Sequence, residues 1–145
     1  MSNVLLAGVE HLPLVAEQER LTFKQPWSEN ALSLFVGNDG FCAICMDDDR
    51  LMSYCTVTVV LDEAQIINVA TNDSYKGQGC AKKTLNFVLE ECKKRNIVSI
   101  SLEVRESNVP AIALYEGLGF LTAGKRRAFY SDPREDALVM VKNLA

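Results

Sequence analysis

A chain of 145 residues, 48% hydrophobic and 23% charged, is long enough to bury the core of one ordinary globular domain and too short for two. Its formal net charge of -4 argues against a nucleic-acid partner, which calls for a basic face, and suits a basic partner such as a protonated amine. No apolar run approaches the roughly 20 residues that span a bilayer, no basic segment leads into an apolar one near Met1, and five cysteines at irregular spacing fit a reducing cytoplasm better than a disulfide framework.

Val9 to Thr22 carries Leu12, Val15, Ala16 and Leu21 at helical spacing, with Pro13 in the first turn, and predicts an amphipathic helix. Pro26-Trp27-Ser28-Glu29 predicts a turn in which Ser28 caps a short second helix through about Phe35. After the loop Gly37-Asn38-Asp39-Gly40 the signals become those of strands: Phe41 to Met46, then Leu51 to Val60 beyond the polar turn at 47–50, then Gln65 to Thr71. Lys76 to Ala81 is a glycine-containing loop. Ala81 to Arg95 predicts a strong helix with Leu85, Val88, Leu89 and Cys92 on one face. Val98 to Val104 predicts a strand and Pro110 to Glu116 a helix capped by Ser107 or Asn108. Two further strands follow, about Phe120 to Tyr130 and Ala137 to Lys142. The strand–helix–strand unit from Gln65 to Val104 predicts a right-handed parallel crossover, so the whole reads as a mixed sheet with helices on its faces.

Two stretches carry chemistry. In Lys76-Gly77-Gln78-Gly79-Cys80-Ala81-Lys82, small residues at 77, 79 and 81 let the backbone turn tightly into a helix. Unpaired amides and the positive dipole end there make an anion site suited to a pyrophosphate. A glycine-rich helix start serves as readily as a packing turn, and this one has neither a Gly-Lys-Ser/Thr ending nor a three-glycine dinucleotide spacing. The second stretch runs from Leu102-Glu103-Val104-Arg105 through Ser107-Asn108 and Ala111 to Phe120. Placed in this order around a strand–helix–strand unit, the two resemble the GNAT superfamily of acetyltransferases. Residues 76–81 resemble its coenzyme loop (Gln/Arg-x-x-Gly-x-Gly/Ala), and Asn108 to Phe120 resembles its Asn-x-x-Ala-x-x-Leu-Tyr-x-x-x-Gly-Phe segment. Pro26 to Glu29, Leu61 to Ala64, Arg126-Arg127 and Arg134 to Ala137 extend the similarity, over nearly the whole chain, to the bacterial ribosomal-protein alanine N-acetyltransferases.

The resemblance implies one α/β domain over residues 1–145 with the GNAT fold: a mixed, mostly antiparallel sheet, helices on both faces, and an acetyl-CoA cleft between two splayed parallel strands. It implies transfer of acetyl from acetyl-CoA, without a metal, to the N-terminal alanine amine of a small-subunit ribosomal protein, with no nucleic acid or membrane involved. By resemblance Glu103 is the general base and Tyr115 the general acid. Val69, Ala70 and Thr71 flank the thioester, Gly77, Gln78, Gly79, Cys80, Ala81 and Lys82 hold the pyrophosphate, and Asn108 contacts the coenzyme. Lys76 and Gly77 depart from the usual Gln/Arg and Arg, which bears on coenzyme affinity. Amides near Val69 and Ala70 are placed to stabilise an oxyanion, and Glu135 and Asp136 to attract a cationic terminus.

Taken without the resemblance, Glu103 reads as a solvated strand-end carboxylate, Tyr115 as a helix-face packing residue and Asn108 as a helix cap. Cys42 and Cys45 have redox-motif spacing, but in a strand residues three apart point to opposite faces, so two core thiols are expected. The rival readings are a GNAT enzyme acting on a lysine side chain or small amine, and a non-catalytic acyl-CoA-binding domain.

Overall fold

A computed structural model describes residues 2–145 of the chain. In order, the elements are β1 (Ser2–Leu6), α1 (Leu12–Thr22), α2 (Glu29–Leu32), β2 (Gly40–Asp47), β3 (Arg50–Val60), β4 (Glu63–Thr71), α3 (Cys80–Lys94), β5 (Ser99–Arg105), α4 (Val109–Gly117), β6 (Leu121–Tyr130) and β7 (Glu135–Asn143). The strands form one sheet in the order β1-β2-β3-β4-β5-β7-β6. Every neighbouring pair is antiparallel except β4 with β5, where α3 provides the crossover that parallel strands need. The mixed, mostly antiparallel sheet expected from the sequence is therefore present. One strand is additional: Ser2–Leu6 pairs with β2 as an edge, and its short, unpatterned run gives no strand signal by itself.

Each face of the sheet carries its own apolar layer. On one, α3 buries Leu85, Val88, Leu89 and Cys92 against Val57, Ile66, Ile100 and Leu102, and α4 adds Tyr115 beside Phe120. On the other, α1 and the turns after α2 cover Cys42, Ile44, Tyr54 and Ala70 with Leu12, Val15, Leu32 and Phe35. α3 matches its expected face residue for residue. In α1, by contrast, Leu21 is 72% exposed; besides Gln18, the buried positions are Leu12, Val15, Ala16 and Glu19. Their spacing of three, four and seven residues is one helical stripe, and a carboxylate stands in it. Ser28 caps α2 by accepting from the Ala31 amide at 3.1 Å, as expected. Residues 33–36 continue as a 3-10 turn rather than as α-helix.

Cys42 and Cys45 are both buried, in separate apolar clusters, so their spacing makes no redox pair. Burial pushes the Cys42 thiol up to about 12 and the Cys92 thiol up to about 11, and holds that of Cys55 well above its usual value. The folded state therefore keeps protons that the unfolded chain releases from about pH 8.5. Stability from these thiols is complete below that pH and is lost as pH rises toward 11–12. In reductant, the urea midpoint is expected to fall steadily between pH 8 and 10.5, with a shallower fall in Cys42→Ala. Parallel slopes for the two proteins would contradict this.

The feature that positions a site is the short parallel pair. β4 and β5 are in register only at Glu63↔Ser99, Ala64↔Ile100 and Gln65↔Ser101. Beyond these residues β4 stays paired with β3 up to Thr71, and β5 with β7 up to Arg105, so the two strands part. The cause lies in β4. Thr56 faces Asn68 but Val57 faces Ile66, which leaves Ile67 as a bulge, and a bulge bends the strand that carries it. The Thr56 hydroxyl fastens the bulge by accepting from the Asn68 amide at 3.0 Å and donating to the Asn68 carbonyl at 3.4 Å.

Candidate active site

The gap between β4 and β5 is edged by backbone. Asn68 turns its amide toward Thr56 on β3, and Asn72 turns its own toward the Met52 carbonyl at 2.8 Å. Successive amides of a strand point to opposite sides, so those of Val69 and Thr71 look into the gap while that of Ala70 belongs to the β3 side. Of the two amides expected to meet an oxyanion, that of Val69 points into the gap and that of Ala70 points toward β3. Ala70 instead packs beneath α1 and α2.

At the mouth of the gap lies the glycine loop. Gly77 and Gly79 have φ of 79° and 75°, conformations that other residues reach only at a cost. A Cβ built on either meets nothing within 4 Å, so the loop is open in front and closed behind. Behind it, Cys80 starts the 15-residue α3 and is buried, which removes it as an exposed thiol. Two buried hydroxyls anchor this helix start to the sheet. The hydroxyls of Thr84 and of Ser53 on β3 lie 2.9 and 3.3 Å from the Cys80 carbonyl oxygen and 2.6 Å from each other, and share their two protons among these contacts. Gln78 and Lys82 are exposed and Ala81 half-exposed. First-turn amides, the dipole end and small residues are together the features that favour an anion at a helix start.

Glu103 and Tyr115 lie on opposite faces of the sheet. On β5 the buried residues alternate as Ile100, Leu102 and Val104 toward α3, which turns Glu103 toward α1. Its side chain is 14% exposed, 3.7 Å from Arg126 Nε, and accepts from Gln65 Nε2 at 3.3 Å. Tyr115 comes from the α3 side, its ring edge-on to Phe120 at 5.9 Å. Burial raises its phenol well above the usual range, with the charges of Cys55 and Tyr130 adding to the shift. Among the described residues its hydroxyl has no hydrogen-bond partner, and no side-chain oxygen or nitrogen is both sealed from solvent and unpartnered. The hydroxyl tip therefore touches accessible space. Tyr115 buries its ring in the core and leaves its oxygen accessible.

Asn108 caps α4 by accepting from the Ala111 amide at 3.3 Å. Glu135 and Asp136 serve the hairpin itself. Glu135 takes the Ser107 amide at 2.6 Å and Arg105 at 3.3 Å, and Asp136 takes the Ala128 amide at 2.8 Å. The Ser107 hydrogen bond and Arg105 hold the Glu135 carboxyl below its ordinary value. Both carboxylates thus help to hold the hairpin together. Arg105 further fixes the β6–β7 connection through the Pro133 and Ser131 carbonyls at 3.0 and 3.4 Å, and lies 4.4 Å over the Tyr130 ring.

Glu19, Gln65, Asn68 and Tyr130 also lie here, without an individual role expected from the sequence. Glu19 alone had a local signal, a carboxylate in the inward phase of α1. The others are brought together by the bulge and by strand order. Gln65 meets Glu103 across 38 residues of sequence and Asn68 meets Glu19 across 49. Among the described residues no cluster of His, Cys, Asp or Glu is arranged to hold a metal ion, and no helix is long and apolar enough to cross a membrane.

The comparisons with known proteins agree with this geometry. The model of the acetyltransferase (GNAT) family matches residues 9–120. The [ribosomal protein bS18]-alanine N-acetyltransferase of Escherichia coli strain K12 is 37% identical over 142 residues, covering 97% of this chain and 96% of its own. Its counterpart in Salmonella typhimurium is 35% identical over 145 residues, covering 97% and 96%. The crystal structure of the Escherichia coli ribosomal-protein-S18-alanine N-acetyltransferase superposes with a TM-score of 0.92 at 33% identity, covering all of this chain and 95% of that one. By family match, by identity over nearly its full length and by fold, this chain belongs to the acetyltransferase (GNAT) family.

Proposed function

We propose that this chain is a single-domain enzyme that transfers acetyl from acetyl-CoA to the N-terminal amine of a ribosomal protein, with alanine as the acceptor residue. The observation that carries the reading is the parting of β4 from β5 beyond Gln65 and Ser101, between an anion cradle and an inward-turned carboxylate. The acceptor follows from the relatives that share 35–37% of their residues with this chain over nearly its whole length, which act on the alanine of ribosomal protein bS18.

The site fits the coenzyme. The open ground in front of Gly77 and Gly79 and the amides at the start of α3 suit a pyrophosphate, held by residues 77–82 with Asn108 beside it. The β4 edge at Val69 and Thr71, unpaired on the β5 side, suits an extended, amide-bearing arm, and Lys76 and Gly77 leave the pyrophosphate to backbone rather than to an arginine. When bound, acetyl-CoA supplies an acyl thioester. The chain supplies the rest. An α-amine with a reference pKa near 7.7–8.0 is mostly protonated at neutral pH, and Glu103 takes that proton directly or through water. The Val69 amide faces the negative charge that develops on the carbonyl oxygen. Tyr115, kept protonated by its burial, gives a proton to the departing sulfur. No side chain at the site is required to carry the acetyl group, so transfer is direct, with both substrates bound.

The test is an assay of free thiol and peptide mass with acetyl-CoA and a peptide beginning with the alanine of bS18. Acetylation is expected on that peptide and on neither an N-terminally blocked copy nor an internal lysine. Transfer to lysine or to small amines instead would replace the acceptor. Tight coenzyme binding without transfer to any amine would return the chain to a non-catalytic acyl-CoA-binding role.

A further inference from the structure

Glu19 is wholly buried, and it binds three segments at once. Its Oε1 accepts from the Trp27 backbone amide at 2.9 Å. Its Oε2 accepts from Asn68 Nδ2 at 2.9 Å and from the Tyr54 hydroxyl. Among the described residues no cation pairs with it, so three neutral donors alone offset the cost of taking a carboxylate out of water. A leucine would complete the stripe of Leu12, Val15 and Ala16 without that cost, which makes the partners the thing to explain.

Two of the partners belong to the site. Asn68 closes the β4 bulge and directly precedes Val69, whose amide looks into the gap. Trp27 lies near one end of segment 23–28, whose other end is tied to the β6–β7 connection, where Lys24 Nζ meets Asp132 Oδ2 at 3.0 Å. In the sheet β5 lies between β4 and β7. The segment thus links the β4 bulge, through Glu19, to the hairpin beyond β5 and β7, on the sheet face toward which Glu103 turns. It is an arch over the acceptor side of the gap. Its hairpin footing is an exposed ion pair of little energetic weight, whereas its β4 footing is Glu19.

We propose that Glu19 is a positioning residue that sets the height of this arch above the Val69 amide, and so the distance at which an acceptor amine meets the acyl group. The inference rests on the acetyltransferase reading above. It assigns Glu19 to the acceptor half of the reaction and leaves the coenzyme half to the glycine loop.

Trp27 is the chain's one tryptophan, so its fluorescence reports the arch without reference to activity. In Glu19→Gln, which keeps the size of the side chain and turns one acceptor into a donor, kcat/KM for the alanine peptide is expected to fall between roughly ten- and a hundredfold, the scale of a misplaced substrate. Affinity for acetyl-CoA, measured by calorimetry, should stay within about twofold, and acrylamide should quench Trp27 more strongly. A residue that merely held the fold together would lower the melting midpoint and leave the surviving enzyme's split between coenzyme and peptide unchanged. Tyr54→Phe removes one donor and keeps the ring. It should move both readouts in the same direction by a smaller factor, and it decides the matter if Glu19→Gln does not fold. Unchanged quenching and peptide kcat/KM within twofold of wild type in the folded variants would overturn the assignment, as would a loss confined to acetyl-CoA. If wild type acetylates no peptide, the acceptor reading fails by itself, and quenching with coenzyme affinity still tests the arch.

Discussion

Glu103→Gln is expected to lower kcat for peptide acetylation at pH 7 by about 10²–10⁴, the range that a positioned general base contributes. The substitution leaves the shape of the side chain, so the neighbouring Gln65 and Arg126, at 3.3 and 3.7 Å, lose little packing, and the melting midpoint and the affinity for acetyl-CoA should be close to those of wild type. The defect should also depend on pH. Below about pH 7.7 the acceptor amine carries a proton that the glutamine cannot take; above about pH 9 most of the amine is already neutral. The ratio of wild-type to mutant rates is therefore expected to shrink as pH rises. A mutant within twofold of wild type at pH 7 would remove Glu103 from the chemistry and return it to the role of a strand-end carboxylate. A large defect that stays constant with pH would point to placement of the acceptor rather than to proton removal.

Tyr115→Phe is expected to cost about 10²-fold in kcat, the lower end of what a proton donor supplies, while stability is unchanged or slightly raised. The two expectations have one source. The ring is buried against Phe120, and phenylalanine keeps that contact. The hydroxyl has no partner among the described residues, so no hydrogen bond is lost when it goes. Because burial raises the phenol well above its usual range, the proton stays on through alkaline pH. The wild-type rate should then show no falling limb from this residue up to the ordinary phenol value of about 10. A drop in melting midpoint with kcat preserved would make Tyr115 a core residue only.

Tyr130 lies near both groups, and its phenol is raised by burial and by the charge of Glu103. It stands at the end of β6, the exposed edge strand, where nothing in its immediate sequence distinguishes it from Phe129. The contrast with α3 is instructive. There Leu85, Val88, Leu89 and Cys92 repeat with the helical period, and an apolar stripe can be satisfied only by burial. The glycine loop was legible for a similar reason, since two positive φ values and a helix start require small residues and place them at fixed spacing. Asn108 and Pro110 marked the start of α4 through capping chemistry that operates within one turn.

What the amino-acid order determines by itself is whatever acts over one helical turn or one strand: the periods of α3 and the β-branched strands, the caps of α2 and α4, the glycine loop, and the two motifs whose order implies the family. What only the tertiary structure decides is how those pieces face one another. β4 and β5 separate because Ile67 bulges, and the bulge depends on Thr56, which holds Asn68 across twelve residues. That the Val69 amide rather than the Ala70 amide looks into the gap follows from that register. Glu19 stands in an apolar stripe where local chemistry favours a leucine; its presence has a physical reason only once Tyr54, Trp27 and Asn68 have been brought to it. A buried carboxylate is stabilised by donors, and donors from three segments exist at one point only after the chain has folded.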